Sequence, residues 1–511
     1  MNTDFLKSHR GILLPSLTIL FVHFINNAFT TYGIFRDELY YIACSEHLAW
    51  GYVDQPPLCA LILKISRSIF GDSVFAVRIL PSFAHAATAL YSGVITKKMG
   101  GERFAQLLST VSVALAPGIV GMMGLYTMNA FDILLWQITF YLVIRLFETE
   151  NASLWYWIGF VIGIGLLNKI SMGWLAAGIA VGIAATPERR RLKKPQPWIA
   201  AAIALFMFLP YIVWNFQNNF AHLEFANNAA RLKYASQNPI TFFSGMVLLY
   251  NPLAIPIWIS GFWILLRHER KEYRIIGIAV LTVLAILLVN FNSKSEYFNP
   301  AAIILIAAGS LQIERWFGNQ MRVIRHMYVS VIVISGFLLM PLAIDILPVQ
   351  AFIPYAQSFG LAPPNTEGHR MGSLPQHFAD RFGWKEFADN VADVYNSLSP
   401  DEKKYAAIYV RNYGEAGAID FFGKDLGLPK AMSGHNNYWI WGKDRLDDTV
   451  HILIAVGGDA EDYSDTFGEV TLAGRHVSEL AMSYESNLPI YVCRKPKLKI
   501  KEVWHTTRRY I

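Results

Sequence analysis

The chain has 511 residues, 54% of them hydrophobic and only 16% charged, with a mean hydropathy of +0.32. Soluble domains carry about 25% charged residues, so composition argues against an ordinary soluble enzyme and for an integral membrane protein. The net charge of +6 is no sign of nucleic-acid binding, because the basic residues sit in short gaps between apolar runs, where they set topology.

The charge is unevenly distributed. Residues 1–349 hold 26 Lys+Arg and 17 Asp+Glu, and residues 350–511 hold 18 and 21. The first stretch therefore reads as a membrane domain and the second as a soluble one.

A spanning helix needs about 20 mainly apolar residues. The first such run covers residues 11 to about 35, behind Lys7 and Arg10, which assigns the N-terminus to the cytoplasm. It has no small-residue cleavage site and reads as an uncleaved signal-anchor helix. The first outer loop, residues 36–73, opens on Phe35-Arg36-Asp37-Glu38-Leu39-Tyr40-Tyr41. It continues through Gly51-Tyr52-Val53-Asp54-Gln55-Pro56-Pro57-Leu58. A short interfacial helix is expected over residues 39–50, stopped by Gly51. Leu58, Leu61, Ile62, Ile65 and Ile69 recur at helical spacing, with Lys64 and Arg67 opposite, and predict a helix on the membrane surface.

Further spans are expected over residues 74–96, 103–117, a fourth ending at Arg145, 154–167, 170–185 and 198–214. An eighth, ending at Leu266, holds Pro252 and Pro256, which predict a kink or break. A ninth ends at Asn290, a tenth leads to Arg315, and an eleventh covers 327–347. Arg189, Arg190, Arg191, Lys193 and Lys194 mark one strong cytoplasmic loop, and Arg267, Arg270, Lys271 and Arg274 another. About 11 spans thus put the N-terminus inside and the tail outside. In the tail, residues 405–410, 450–456 and 489–494 read as buried strands of an α/β domain, with no glycine-rich phosphate fingerprint after any of them. Cys44, Cys59 and Cys493 form no metal or redox spacing. Cys44 and Cys59 read as buried thiols, with a disulfide in an oxidising compartment as the other option.

Asp37 and Glu38 stand at a membrane exit, where desolvating a charge is costly unless it is paired or used. One reading is a general base that takes a proton from an acceptor hydroxyl. The other is a pair of interfacial acids neutralised by Arg36. Asp54, before the double proline of Pro56 and Pro57, is either aimed back at the membrane surface or solvated on a rigid turn. Lys169, Arg231, Lys233 and Lys294 fall on the outer side, where cations are few. Each is a phosphate ligand or a lipid-headgroup contact. Tyr52 and Gln55 in the first loop, with Tyr234 and Tyr297 beyond it, are the candidate substrate contacts, the two later tyrosines doubling as aromatic-belt residues. No ligand spacing demands a metal, although the acids leave room for a divalent cation. Together these groups suit a substrate with a lipid tail, an anionic phosphate leaving group and a reactive head.

The first-loop sequence around Asp37 and Asp54 resembles that of the bacterial family 39 glycosyltransferases, which are similar to protein mannosyltransferases and to the aminoarabinose transferases of lipid A. Asn168-Lys169-Ile170-Ser171 is similar to that family's Lys-containing inter-helix segment. Asn412-Tyr413-Gly414-Glu415-Ala416-Gly417-Ala418 and Ser433-Gly434-His435-Asn436-Asn437-Tyr438-Trp439 resemble the outer domain of a bacterial branch. The aminoarabinose transferases carry a Lys before the double proline, where this chain has Gln55. The resemblance implies the GT-C fold, Asp37 as the catalytic carboxylate with Asp54 and Glu38 beside it, a polyprenyl-phosphate sugar as donor and an envelope glycolipid, polysaccharide or protein as acceptor. It implies a multi-pass protein of the bacterial inner membrane with its C-terminal domain in the periplasm. The rival reading is a lipid or sugar transporter or flippase, which calls for charged residues at mid-span and paired interrupted helices in two halves.

Overall fold

The computed structural model describes residues 3–233, 237–290, 293–361, 372–445 and 449–511. The described chain is mostly helical and divides into two compact units. The first comprises residues 1–30, 69–213 and 236–348. The second comprises 31–68, 214–235 and 349–511. Most of the first loop, together with residues 214–235, thus groups with the C-terminal region.

In the first unit, helices stand at each of the eleven apolar stretches. Among the described residues, six are long and apolar enough to cross a membrane, including Val74–Lys98, Met128–Thr149 and Lys271–Val289, and up to eight if each bent pair is one span. The bent pairs are Arg103–Ala114 with Pro117–Met123, at 57°, and Pro239–Leu249 with Pro252–Arg267, at 100°. The second is the break expected at Pro252, whose ring cannot continue the hydrogen-bond ladder of the preceding turn. Leu154–Asn168 and Met172–Ala184 are apolar but shorter. The core of this unit is built from Ile, Leu, Val and Ala with a few large rings such as Trp136 and Phe140. His85 is buried within it, its Nδ1 2.8 Å from His23 Nε2.

In the second unit, five strands form a mixed sheet: β1 (Ala406–Tyr409), β2 (Ala431–Met432), β3 (Ile452–Val456), β4 (Phe467–His476) and β5 (Leu488–Pro496), in the order β2-β1-β3-β5-β4. β1 runs parallel to β2 and β3, and β5 is antiparallel to β3 and β4. β3 is buried throughout, as a central strand covered on both faces must be. Its core takes in Val53 of the first loop and Ala221 of the Ala221–Asn228 helix, beside Trp439, Tyr491 and Trp504.

The first loop departs from expectation at its start. The helix there is Arg36–Glu46, and Leu39, Tyr40, Tyr41, Ile42 and Ala43 are all buried, so it is a core element of this unit and not an interfacial helix. It packs on the helix Tyr413–Phe422. Two glycines make that contact possible. A Cβ on Gly414 would lie 2.5 Å from Arg36 Cγ, and one on Gly417 would lie 2.9 Å from Leu39 Cβ. The next helix, Leu58–Phe70, buries Cys59, Ala60 and Leu63 and leaves Leu61, Ile65 and Ile69 exposed. That is the unpartnered apolar face expected of a membrane-surface helix. Cys44, Cys59 and Cys493 are free and buried.

Candidate active site

The acids of the first loop have sharply different surroundings. Glu38 is fully buried, and its Oε2 accepts the Phe35 backbone N–H at 2.9 Å. It closes the first turn of its own helix, where a carboxylate also favours the helix dipole. Asp37, one residue earlier, keeps 38% of its side chain exposed. Tyr413 Oη donates to Asp37 Oδ1 at 2.8 Å, and Arg36 Nε lies 3.6 Å from the same oxygen. Arg36 is itself fixed, donating to Tyr484 Oη and lying 3.7 Å from Asp380. Asp37 is therefore an accessible carboxylate with one oxygen oriented by protein donors, the arrangement a general base requires.

Asp54 is half-buried and accepts from Tyr40 Oη at 2.9 Å. Burial raises its pKa to about 6, the Tyr40 hydrogen bond opposes the rise, the charge of Asp37 adds to it and that of Lys233 offsets part of it. Asp37 and Lys233 thus both act electrostatically on Asp54 within this unit. Asn437 secures the turn, its Oδ1 accepting the Val53 N–H at 2.7 Å.

Tyr52 and Gln55 are corrections to the sequence reading. Tyr52 is 0% exposed and its hydroxyl donates to the Cys44 carbonyl at 2.9 Å, while Gln55 is 1% exposed with its amide 3.8 Å from Cys44 Sγ. Both are core groups that hold the Asp54 turn, and neither presents a surface for a sugar. Arg231 is exposed on the π-helical turn Ala229–Lys233. Tyr234 lies outside the described residues.

Lys233 lines a cavity of about 250 Å³ together with Arg36, Arg411, Tyr413, Tyr484 and Arg509. His435 also borders it, and burial pulls its pKa down to about 3, so it is neutral. Its Nδ1 accepts from the Tyr413 N–H at 3.4 Å, which leaves the proton on Nε2 to donate to the Ile511 carbonyl at 2.8 Å. Arg411, Tyr413 and Tyr484 had no assigned role in the sequence. The signal was present in the polar run Asn412–Glu415 opening a helix, where Asn412 Oδ1 accepts from the Gly414 and Glu415 N–H groups.

The first unit holds a second polar cluster. Lys169 Nζ donates to Asn129 Oδ1 at 2.5 Å and sits 5.4 Å from the centre of the Tyr297 ring. Asp132 is buried, accepting from Ser171 Oγ at 2.7 Å and Trp136 Nε1 at 3.1 Å. Sequence reasoning passed over Asp132, although an acid inside an apolar span is a site hypothesis by default. Lys294 is half-buried at the start of the short helix Ser295–Phe298. Among the described residues, no group of three or more His, Cys, Asp and Glu is arranged to hold a metal ion.

Comparison with known proteins agrees with this architecture. A family model described as dolichyl-phosphate-mannose-protein mannosyltransferase matches residues 54–214. The chain is 22% identical over 291 residues to the lipid A galacturonosyltransferase RgtD of Rhizobium johnstonii, covering 56% of this chain and 61% of that protein. It is 23% identical over 219 residues to the undecaprenyl phosphate-alpha-4-amino-4-deoxy-L-arabinose arabinosyl transferase 2 of Pseudomonas fluorescens, covering 39% and 37% respectively. The matched stretches span less than two thirds of either relative. Among solved structures, ArnT from Cupriavidus metallidurans bound to undecaprenyl phosphate is similar with a TM-score of 0.62 at 10% identity, over 94% of this chain and 97% of that one. The fold is that of the GT-C class, a multi-span helical membrane protein with a C-terminal sheet domain. The sequence matches point the same way over part of the chain.

Proposed function

We propose that this protein is a membrane glycosyltransferase that moves a sugar from a polyprenyl-phosphate donor to an envelope acceptor at the outer face of the bacterial inner membrane. The observation that carries the proposal is Asp37: an accessible carboxylate fixed by Tyr413 and Arg36, two residues that line a cavity rich in cations. A relative named as a lipid A galacturonosyltransferase, a second named for an undecaprenyl phosphate-linked aminoarabinose, and an ArnT structure that holds undecaprenyl phosphate support the same reading.

In this reaction Asp37 takes the proton of the acceptor as its oxygen attacks the anomeric carbon, and the carrier phosphate leaves. A single displacement inverts that carbon. Cations stabilise the charge that develops on the leaving phosphate. Lys169, Arg231, Lys233 and Lys294 are the candidates for that task. Tyr297, under the Lys169 ammonium, holds it by a cation–π contact worth about 0.5–2 kcal/mol. Asp54 tunes the field at Asp37, and Glu38 secures the start of the helix that carries the base. The N-terminus is assigned to the cytoplasm and the second unit to the periplasm, the arrangement in which the donor enters from the outer leaflet.

The test is transfer by the purified full chain in lipid, with a radiolabelled polyprenyl-phosphate sugar and an envelope lipid extract. Labelled product from the wild type and none from Asp37→Asn is expected. Equal transfer by both removes Asp37 as the base. Mass analysis of envelope glycans from cells lacking the protein then names the sugar.

A further inference from the structure

We infer that Glu415 and Glu485 form a carboxyl pair sharing one proton, and that the pair positions Tyr413, the hydrogen-bond donor to Asp37. The role given to Asp37 rests on the transferase reading. The pair rests on its own geometry.

Glu415 is the acid of the motif at residues 412–418, and the reaction leaves it without a task. It is fully buried, and its oxygens take three donors. Oε2 accepts the Arg411 backbone N–H at 2.8 Å, and Oε1 accepts from Arg411 Nη2 at 2.9 Å and from Asn412 Nδ2 at 3.0 Å. Three donors, one of them a guanidinium, suit an ionised carboxylate. Glu485 is 4% exposed and differently served. Its Oε1 accepts from Asn412 Nδ2 at 2.9 Å, and its buried Oε2 has no hydrogen-bond donor among the described residues. The Asn412 amide cannot turn round, because its Oδ1 accepts from the Gly414 and Glu415 N–H groups. Both amide hydrogens therefore go to acids, one to each.

One guanidinium between two buried carboxyls balances one negative charge, so the second carboxyl keeps its proton. Glu485 is the one that keeps it. Burial first, and the Glu415 carboxylate second, push its pKa far above the ordinary carboxyl range, with Arg411 and Arg36 opposing. Arg36 is itself held by Asp37 and Asp380, and Tyr463 acts on Arg411.

The pair ties two segments of the second unit together. Glu485 ends the turn Ser483–Glu485, where the Tyr484 carbonyl accepts from Arg411 Nη2 at 2.8 Å and the Tyr484 hydroxyl accepts from Arg36. Glu415 lies in the first turn of the helix Tyr413–Phe422, two residues after the donor to Asp37. Loss of the shared proton would leave two buried anions side by side, and their repulsion would part the turn from the helix start. Tyr413 and Arg36 would then lose their fixed aim at Asp37. Glu485 touches no reacting atom, so it is a positioning residue.

The experiment uses the purified full chain in lipid with two variants. Glu485→Gln stays neutral and keeps a donor, and Glu485→Ala removes the contact. Infrared difference spectra at pH 7 should show a protonated-carboxyl C=O band in the wild type that Glu485→Gln lacks. The folded state holds this proton above the ordinary pKa of 4.5, so its stabilising effect is whole below pH 4.5 and is lost as pH rises from there. The unfolding midpoint of Glu485→Gln should therefore exceed that of the wild type by about 2 °C or more at pH 8 and match it at pH 4. In sugar transfer, Glu485→Ala should lose about tenfold or more in kcat with KM for the donor unchanged, and Glu485→Gln should restore it. An identical infrared band in Glu485→Gln, or a midpoint difference independent of pH, overturns the shared proton. Wild-type transfer by Glu485→Ala, or transfer by Glu485→Gln as poor as that of Glu485→Ala, overturns the positioning role. The infrared and midpoint measurements need only Glu485→Gln, so they decide even where Glu485→Ala does not fold. The expected band and pH-dependent midpoint in a wild type that transfers no sugar defeat the transferase reading and leave the carboxyl pair standing.

Discussion

Replacing Asp54 by Asn should stabilise the protein at neutral pH and leave it unchanged in acid. The Asp54 carboxyl has a pKa of about 6 in the folded chain against 3.8 ordinarily, chiefly because it is buried. The folded state therefore binds this proton more tightly than the unfolded state. Its contribution to stability is whole below pH 3.8 and is lost as pH rises through 6. A shift of about two units corresponds to about 3 kcal/mol. Asp54 retains some solvent contact, so screening reduces the expected gain to about 1–3 kcal/mol. Asn keeps the volume and an oxygen to accept from Tyr40. The assay is thermal unfolding of the purified wild type and variant at pH 4 and pH 8. For a unit of this size each kcal/mol moves the midpoint by about 2–4 °C. A higher midpoint for Asp54→Asn at pH 8 and none at pH 4 is expected. Equal destabilisation at both values would refute the argument that burial of a charge dominates this position.

Four other outcomes are expected. Asp37→Asn should lower sugar transfer by about 10²–10⁴, the usual share of a general base, with an unaltered unfolding midpoint. Tyr413→Phe removes the hydrogen bond to Asp37, a contact to a charged group worth about 1.5–3 kcal/mol. It should reduce kcat with little change in KM for the donor, read from initial rates across donor concentration. Lys169→Gln should raise KM for the donor more than it lowers kcat, as measured by initial rates across donor concentration. Gly417→Leu should cost about 1–3 kcal/mol of stability, since its side chain must displace Leu39, and the thermal midpoint reads that directly.

How much of this was legible in the sequence depends on which physical signal each part carries. Apolar length marks membrane helices directly, and Pro252 marked the 100° break between Pro239–Leu249 and Pro252–Arg267. β1, β3 and β5 stood out as apolar runs. β4 did not. It is an edge strand whose residues include Glu469 and Arg475, and Leu472 is 53% exposed, so neither alternation nor a buried run announces it. Asp37 could be singled out as a candidate because an acid at a membrane exit is expensive. The difference between Asp37 and Glu38 could not, because it depends on which neighbour turns back to the Phe35 N–H. Tyr52 looked like a substrate contact for the same reason that any loop aromatic does, and only the packed structure shows it as core. Arg411 and Tyr413 are more than 370 residues from Asp37 in sequence, and no local pattern connects them.

The second unit is assembled from residues 31–68, 214–235 and 349–511, and this ordering has a consequence for biosynthesis. The helix bearing Asp37 leaves the ribosome early, while its packing partner Tyr413–Phe422 is made near the end. Until then Leu39, Tyr41 and Val53 lack the neighbours that cover them. Long-range closure of this kind is slow, and apolar surface awaiting it invites aggregation. The nascent first loop therefore carries uncovered apolar side chains through most of translation, and a C-terminal fragment expressed alone has a gap where Val53 and Ala221 belong.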